Sequence, residues 1–235
     1  MAFTNSPLVS YTRISPYSSG RKGHNIDTIT IHCAAAQAAV ETLGRLFQTK
    51  QASANYGIGA DGRVGMYVEE KDRSWATSDG ENDRRAVTIE VACDNRHPYA
   101  VKDAVYKKLI TLVADICKRN GIAKLVWSTD KYDRMNHKGG CNMTVHRDYE
   151  NKACPGQWLY ERHGQIAAEV NKRLTEDEEM VRWNKIEDVP EGFYRDTVRQ
   201  LMQDGIIKGK GNGVIDLTED MLRVMIFCQR IMGKA

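Results

Sequence analysis

Residues 27–32, Asp-Thr-Ile-Thr-Ile-His, alternate polar and β-branched apolar side chains with a period of two, which predicts a strand ending on His32. The alanine-rich run 34–50 follows, with Val40, Leu43 and Phe47 at helical spacing, and predicts a helix. Residues 55–68 divide into two short stretches around Ala60-Asp61-Gly62-Arg63, which is hairpin turn chemistry. Residues 86–92 form an apolar run holding a single carboxylate, Glu90.

The clearest amphipathic stripe is Val101, Val105, Leu109, Leu112, Val113 and Ile116, predicting a helix over 101–120 that Gly121 caps. Residues 124–127 read as a short strand, and a second amphipathic helix is predicted from about Gly156, after Pro155, to Leu174. Strands alternating with helices in this way predict an α/β domain over residues 1–175 with a central mixed β-sheet flanked by helices. The charged stretch Thr175 to Glu179 reads as a linker or helix end. Residues 180–235 then form a small α-rich C-terminal domain. It carries a predicted helix over 193–204 and another from Thr218, with Glu219 and Asp220 suiting its first turn. Met202, Met221, Met225 and Phe227 fall at helical spacing and are expected in its core.

Composition adds limits. The 235 residues are 41% hydrophobic and 28% charged, ordinary for a globular protein. No apolar run approaches the roughly 20 residues that span a bilayer, so no membrane insertion is expected. Residues 1–10 have neither a basic start nor an apolar core, so no signal peptide is expected and the protein would stay in the cytoplasm until released. A net charge of +3, without basic runs, gives no reason to expect nucleic acid, though it would favour an anionic polymer. The six cysteines lack regular spacing, which points to free or metal-bound thiols.

The segment from Thr144 to Gly156 places His146 and Cys154 eight residues apart, and both are good zinc ligands if the chain loops back. His32 is a third candidate, and three protein ligands with an open position make a catalytic zinc site. Spacing alone leaves alternatives open. A histidine at a strand end is often only a hydrogen-bonded core residue, and a lone cysteine is often a small hydrophobe. His137 and Cys141 could also join His146 and Cys154 in a structural four-ligand site.

Several separated pieces together resemble the type-2 N-acetylmuramoyl-L-alanine amidases, a family that includes phage endolysins and shares its fold with peptidoglycan recognition proteins. The pieces are Thr30-Ile31-His32, Ser53 to Ile58 followed by Asp61 to Val64, Val87 to Glu90, Thr144 to His146, and Lys152 to Gly156. The resemblance spans residues 20–174. It implies a Zn2+ ion held by His32, His146 and Cys154, with Lys152 stabilising an oxyanion. It also implies that Tyr56 bonds the attacking water or the oxyanion. Glu90 would act as base, orient a ligand histidine, or simply be a strand carboxylate. The implied reaction cuts the amide between N-acetylmuramic acid and L-alanine in bacterial peptidoglycan, by an endolysin or, alternatively, a bacterial autolysin. A non-catalytic peptidoglycan-binding module is the other alternative, though such relatives commonly lack the cysteine ligand. Ser74-Trp75-Ala76-Thr77 lacks the histidine found after the tryptophan in many relatives. Trp75 and Trp127 would line a glycan or peptide groove, or be buried. The C-terminal domain resembles wall-attachment repeats and endolysin tails, and implies wall binding or, as a runner-up, homo-oligomerisation.

Overall fold

A computed structural model of the chain describes residues 3–179 and 181–231. Residues 1, 2, 180 and 232–235 lie outside the described residues. The chain divides into two compact units, Met1–Leu174 and Thr175–Ala235.

The first unit contains, in chain order, β1 (Val9–Thr12), β2 (Ser18–Gly20), β3 (Thr28–Cys33), α1 (Val40–Thr49), β4 (Tyr56–Ile58), β5 (Val64–Met66), β6 (Asp72–Ser74), α2 (Gly80–Arg85), β7 (Ala86–Val91), α3 (Asp103–Asn120), α4 (Lys131–Met135), β8 (Met143–Thr144) and the start of α5 (Gln157–Glu179). Six strands form one sheet in the order β1-β5-β4-β7-β3-β8. The β4–β5 hairpin is antiparallel and the other pairs are parallel, so the sheet is mixed and flanked by helices as the pattern predicts. Strands β2 and β6 pair separately.

Alternation along β3 sets the two faces of the sheet. Ile29 and Ile31 join Val87, Ile89, Tyr56 and Ile58 on the face packed by Val105, Leu109, Leu112 and Ile116 of α3 and by Leu159, Ile166 and Val170 of α5. Each of these fully buried aliphatic side chains contributes roughly 1.5–3 kcal/mol. The opposite face carries Thr30, His32, Thr88 and Glu90, which side-chain alternation puts together. Its hydroxyls are satisfied locally. The Thr30 and Thr144 oxygens are 2.7 Å apart, Thr144 donates to Asn82 Oδ1 at 2.8 Å, and Asn82 Nδ2 donates to Thr30 at 3.2 Å. This closed ring satisfies the Thr30, Thr144 and Asn82 side chains where they are buried.

Two local expectations fail for backbone reasons. Helix α1 starts at Val40 rather than Ala34, because residues 34–38 serve as ties between other segments. Ala34 N donates to Val91 O, Cys93 N to Ala36 O, and Ala60 N to Ala38 O. Residues 124–127 form no strand, because asparagine side chains take the place of a neighbouring ladder. Asn142 bonds Val126 N and Lys124 O, and Asn171 bonds both backbone groups of Leu125.

Residues 175–179 are not a linker but the end of helix α5, the second of the two readings of that charged stretch. The second unit has β9 (Arg182–Trp183) antiparallel to β10 (Leu217–Thr218), with α6 (Phe193–Gln203) and α7 (Glu219–Ile231). Its core is Trp183, Val189, Val198, Leu201, Ile207, Ile215, Leu217 and Leu222. The Thr218 hydroxyl accepts from Met221 N at 3.2 Å, the expected cap. The expected methionine core is corrected: Met202, Met221 and Phe227 are 39%, 50% and 64% exposed. Helix α7 has two apolar stripes, and the one that faces inward is Leu222, Met225 and Ile226. Among the described residues no helix is long and apolar enough to cross a membrane.

Candidate active site

The polar face of the sheet leads directly to the site. His32 on β3 pairs in register with Glu90 on β7, and Thr30 pairs with Thr144 on β8. His32 and His146 each follow one of these threonines by two residues, and their rings lie 5.2 Å apart. Cys154 Sγ is 3.4 Å from His32 Nδ1. The donor atoms of His32, His146 and Cys154 all lie within 4.8 Å of one another, and among the described residues they form the one such group.

These donors fit zinc. Two ligands on one tetrahedral zinc, with Zn–N near 2.1 Å and Zn–S near 2.3 Å, stand about 3.6 Å apart. The observed nitrogen–sulfur separation is close to that. Burial holds His32 below its ordinary pKa, against the opposing pull of the Glu90 carboxylate, which favours the neutral imidazole that a metal needs. His32 Nε2 is buried with no hydrogen-bond partner. His137 and Cys141 stand apart from the group; His137 Nδ1 instead lies 2.9 Å from the Cys141 carbonyl oxygen. The four-ligand structural site is therefore not assembled.

The loop that carries His146 and Cys154 is anchored from below. Asp148, two residues beyond His146, is buried and forms a bidentate pair with buried Arg134 at 2.5 and 2.8 Å. The Arg134 guanidinium stacks 4.4 Å over the Trp127 ring. Trp127 lies 4.5 Å from the ring of buried His163. The return of the loop is clamped by Arg147, whose backbone N–H and side chain donate to Cys154 O and Ala153 O. Gly156 closes the loop at φ +80°, where a Cβ would stand 2.6 Å from Tyr99 Cβ, so only glycine fits.

A cavity of about 290 Å³ lies over the donors, lined also by Glu90, Lys152, Cys33 and Trp75. Glu90 carries a raised pKa because burial disfavours its charge, an effect that His32 partly offsets. Lys152 is 55% exposed in its side chain and puts a cation at the rim. Hydrogen bonding to Cys154 and burial push the Cys33 thiol up to about 12. A neighbouring cavity of about 540 Å³ shares His146, Lys152 and Trp75 and adds Arg73 and Glu150. Arg73 Nε is buried there without a partner.

Two sequence expectations are corrected. Tyr56 does not reach the cavity. It sits on β4 opposite Ile89, on the helix-packed face, and its hydroxyl donates to Glu70 Oε1 at 2.7 Å and accepts from Ser6 N at 2.9 Å. Trp127 does not line the cavity either; its ring is covered by Arg134 and His163. Asp148, Arg134, Glu150 and Arg73 were not singled out in the sequence. The Asp148 position beside a candidate ligand was a usable signal, but nothing local marks Arg134 as its partner.

Fold and site define a mixed-sheet domain whose two histidines and one cysteine converge at the floor of an open cavity. The N-acetylmuramoyl-L-alanine amidase family matches residues 22–157, more than half of the chain, and the chain belongs to that family. Its general chemistry is amide hydrolysis in peptidoglycan. No curated protein matches the chain. The structure is similar to that of AmpD, solved as a selenomethionine derivative, at 17% identity and a TM-score of 0.51, covering 71% of this chain and 99% of that one. It also matches the endolysin amidase LysCS from Clostridium intestinale at 18% identity and a TM-score of 0.49, covering 69% of this chain and 93% of that one.

Proposed function

We propose that this protein is a zinc-dependent N-acetylmuramoyl-L-alanine amidase, acting as an endolysin on the wall of a bacterial host. The observation that carries this reading is the convergence of His32, His146 and Cys154 at the floor of a cavity that also presents Glu90 and Lys152. Those three residues would hold the metal. When bound, zinc supplies Lewis acidity to the scissile carbonyl and lowers the pKa of a water molecule toward about 7.

The chain's own groups do the rest. Glu90, whose raised pKa suits proton transfer, takes the proton from the attacking water and returns it to the leaving amine of L-alanine. Lys152 brings a positive charge to the side of the cavity where the carbonyl oxygen becomes negative. Trp75, exposed at the rim, offers a flat apolar face to sugar or peptide. The second unit would direct the enzyme to the wall, which the protein would reach only when released from the host cytoplasm.

Metal analysis combined with product analysis on purified peptidoglycan tests the reading, with Cys154→Ser beside the wild type. The expected result is about one zinc per wild-type chain and new alanine amines without new reducing sugar ends. Both should be lost in the variant. New reducing ends would make it a glycosidase, and wall binding without amines would make it a binding module. Deleting residues after 178 and measuring adsorption apart from activity tests the second unit's role.

A further inference from the structure

Glu150 touches both a candidate metal ligand, His146, and the rim lysine, Lys152. Its Oε2 lies 3.2 Å from His146 Nε2, and the same oxygen lies 3.6 Å from Lys152 Nζ. Two groups of the ligand loop thus share one carboxylate oxygen, on a residue lining the larger cavity beside His146 and Lys152.

A neutral imidazole has one N–H and one free lone pair. A carboxylate at Nε2 fixes the N–H on that nitrogen and leaves the Nδ1 lone pair free for a metal. The negative charge also makes the ring a stronger base toward a cation, and such partners of metal-bound histidines are typically worth about 10–100-fold in metal affinity. Lys152 is otherwise a flexible, half-exposed cation that loses rotamer freedom when it is placed. Sharing the Glu150 oxygen limits where its ammonium goes.

We infer that Glu150 is a positioning residue, fixing the His146 tautomer for metal binding and tethering Lys152 over the cavity through a single carboxylate oxygen. The inference rests on the zinc reading proposed above.

The test measures zinc affinity of the metal-free full chain by competition with a chromophoric chelator, for wild type, Glu150→Ala and Glu150→Gln. Circular dichroism and thermal melting check that each variant is folded. The expected result for Glu150→Ala is zinc binding weakened about 10–100-fold, and for Glu150→Gln a smaller loss, since an amide oxygen still accepts from Nε2–H without charge. Steady-state kinetics on the zinc-saturated variants should then show a lowered kcat with little change in KM, the mark of a misplaced Lys152. Equal zinc affinity in all three proteins overturns the inference, as does Glu150→Gln weakening zinc as much as Glu150→Ala. If Glu150→Ala does not fold, Glu150→Gln decides alone: weakened zinc binding supports the role and wild-type affinity overturns it. A wild type that takes up no zinc defeats the proposed function itself, whereas a zinc-loaded wild type with an undiminished Glu150→Ala defeats only the role of Glu150.

Discussion

His32, buried, and Glu90, half-buried, face each other in parallel register on adjacent strands, and each makes the other's charge state less costly. Burial lowers the His32 pKa and raises that of Glu90, while their mutual attraction works against both shifts. The pair thus sets a neutral ligand beside a carboxyl group able to exchange a proton.

Replacing Glu90 with Gln keeps its shape and removes its proton chemistry. General acid–base groups contribute about 10²–10⁴-fold, so Glu90→Gln should lower kcat by that order with KM nearly unchanged. Zinc content should stay at the wild-type level. A variant with wild-type kcat would reduce Glu90 to a strand carboxylate.

Tyr56 leads to the opposite expectation. Its hydroxyl serves Glu70 and Ser6 N on the helix-packed face, away from the metal donors. Tyr56→Phe leaves those buried groups short of a partner, at a cost of about 1–3 kcal/mol in unfolding free energy. The kcat/KM of the folded fraction should match wild type. A large loss of kcat at unchanged stability would return Tyr56 to the catalytic site.

The contrast between these residues shows what the sequence made legible. His32 and Glu90 are legible because strand periodicity assigns their face: Ile29 and Ile31 must meet α3, so His32 must point the other way. The same rule, applied to β4 through its register with β7, puts Tyr56 beside Ile89 rather than Glu90. The register, however, is a long-range fact that no local pattern encodes. Residues 34–39 and 124–127 misled for a related reason. Their backbone partners are a strand end, a hairpin loop and two asparagine side chains remote in sequence. In α7, two apolar stripes competed, and only tertiary packing selects between them.

Arg134 and Asp148 form a buried ion pair beneath the ligand loop. Breaking such a pair from one side strands a charge and costs about 3–5 kcal/mol. Arg134→Met should therefore destabilise by that amount in urea unfolding and weaken zinc binding, because His146 loses its footing. Adding Asp148→Asn to the same chain should recover part of the loss, since no bare carboxylate remains. Additive losses in the double variant would mean that the two residues act independently.

His163 gives the fold a pH dependence of known sign. It is fully buried, its Nδ1 lies 2.7 Å from the Leu159 carbonyl oxygen, and its Nε2 has no partner. Burial pushes its pKa down to about 4, and the cations of Arg134 and Arg147 add to the effect. The unfolded chain titrates this histidine near 6.5. Between those values the unfolded state carries the extra proton, so stability rises with pH through that window and falls as the solution is acidified from about 6.5 to about 4. A depression of this size corresponds to about 3 kcal/mol at the acid end. His163→Leu removes the titrating group while keeping an apolar side chain against Trp127. Urea unfolding of the metal-free protein at pH 7 and pH 4.5 should show a smaller acid loss in the variant than in wild type. Some loss should persist, because His32 is buried neutral as well and pulls in the same direction. Equal acid losses in the two proteins would show that His163 is not a source of the sensitivity.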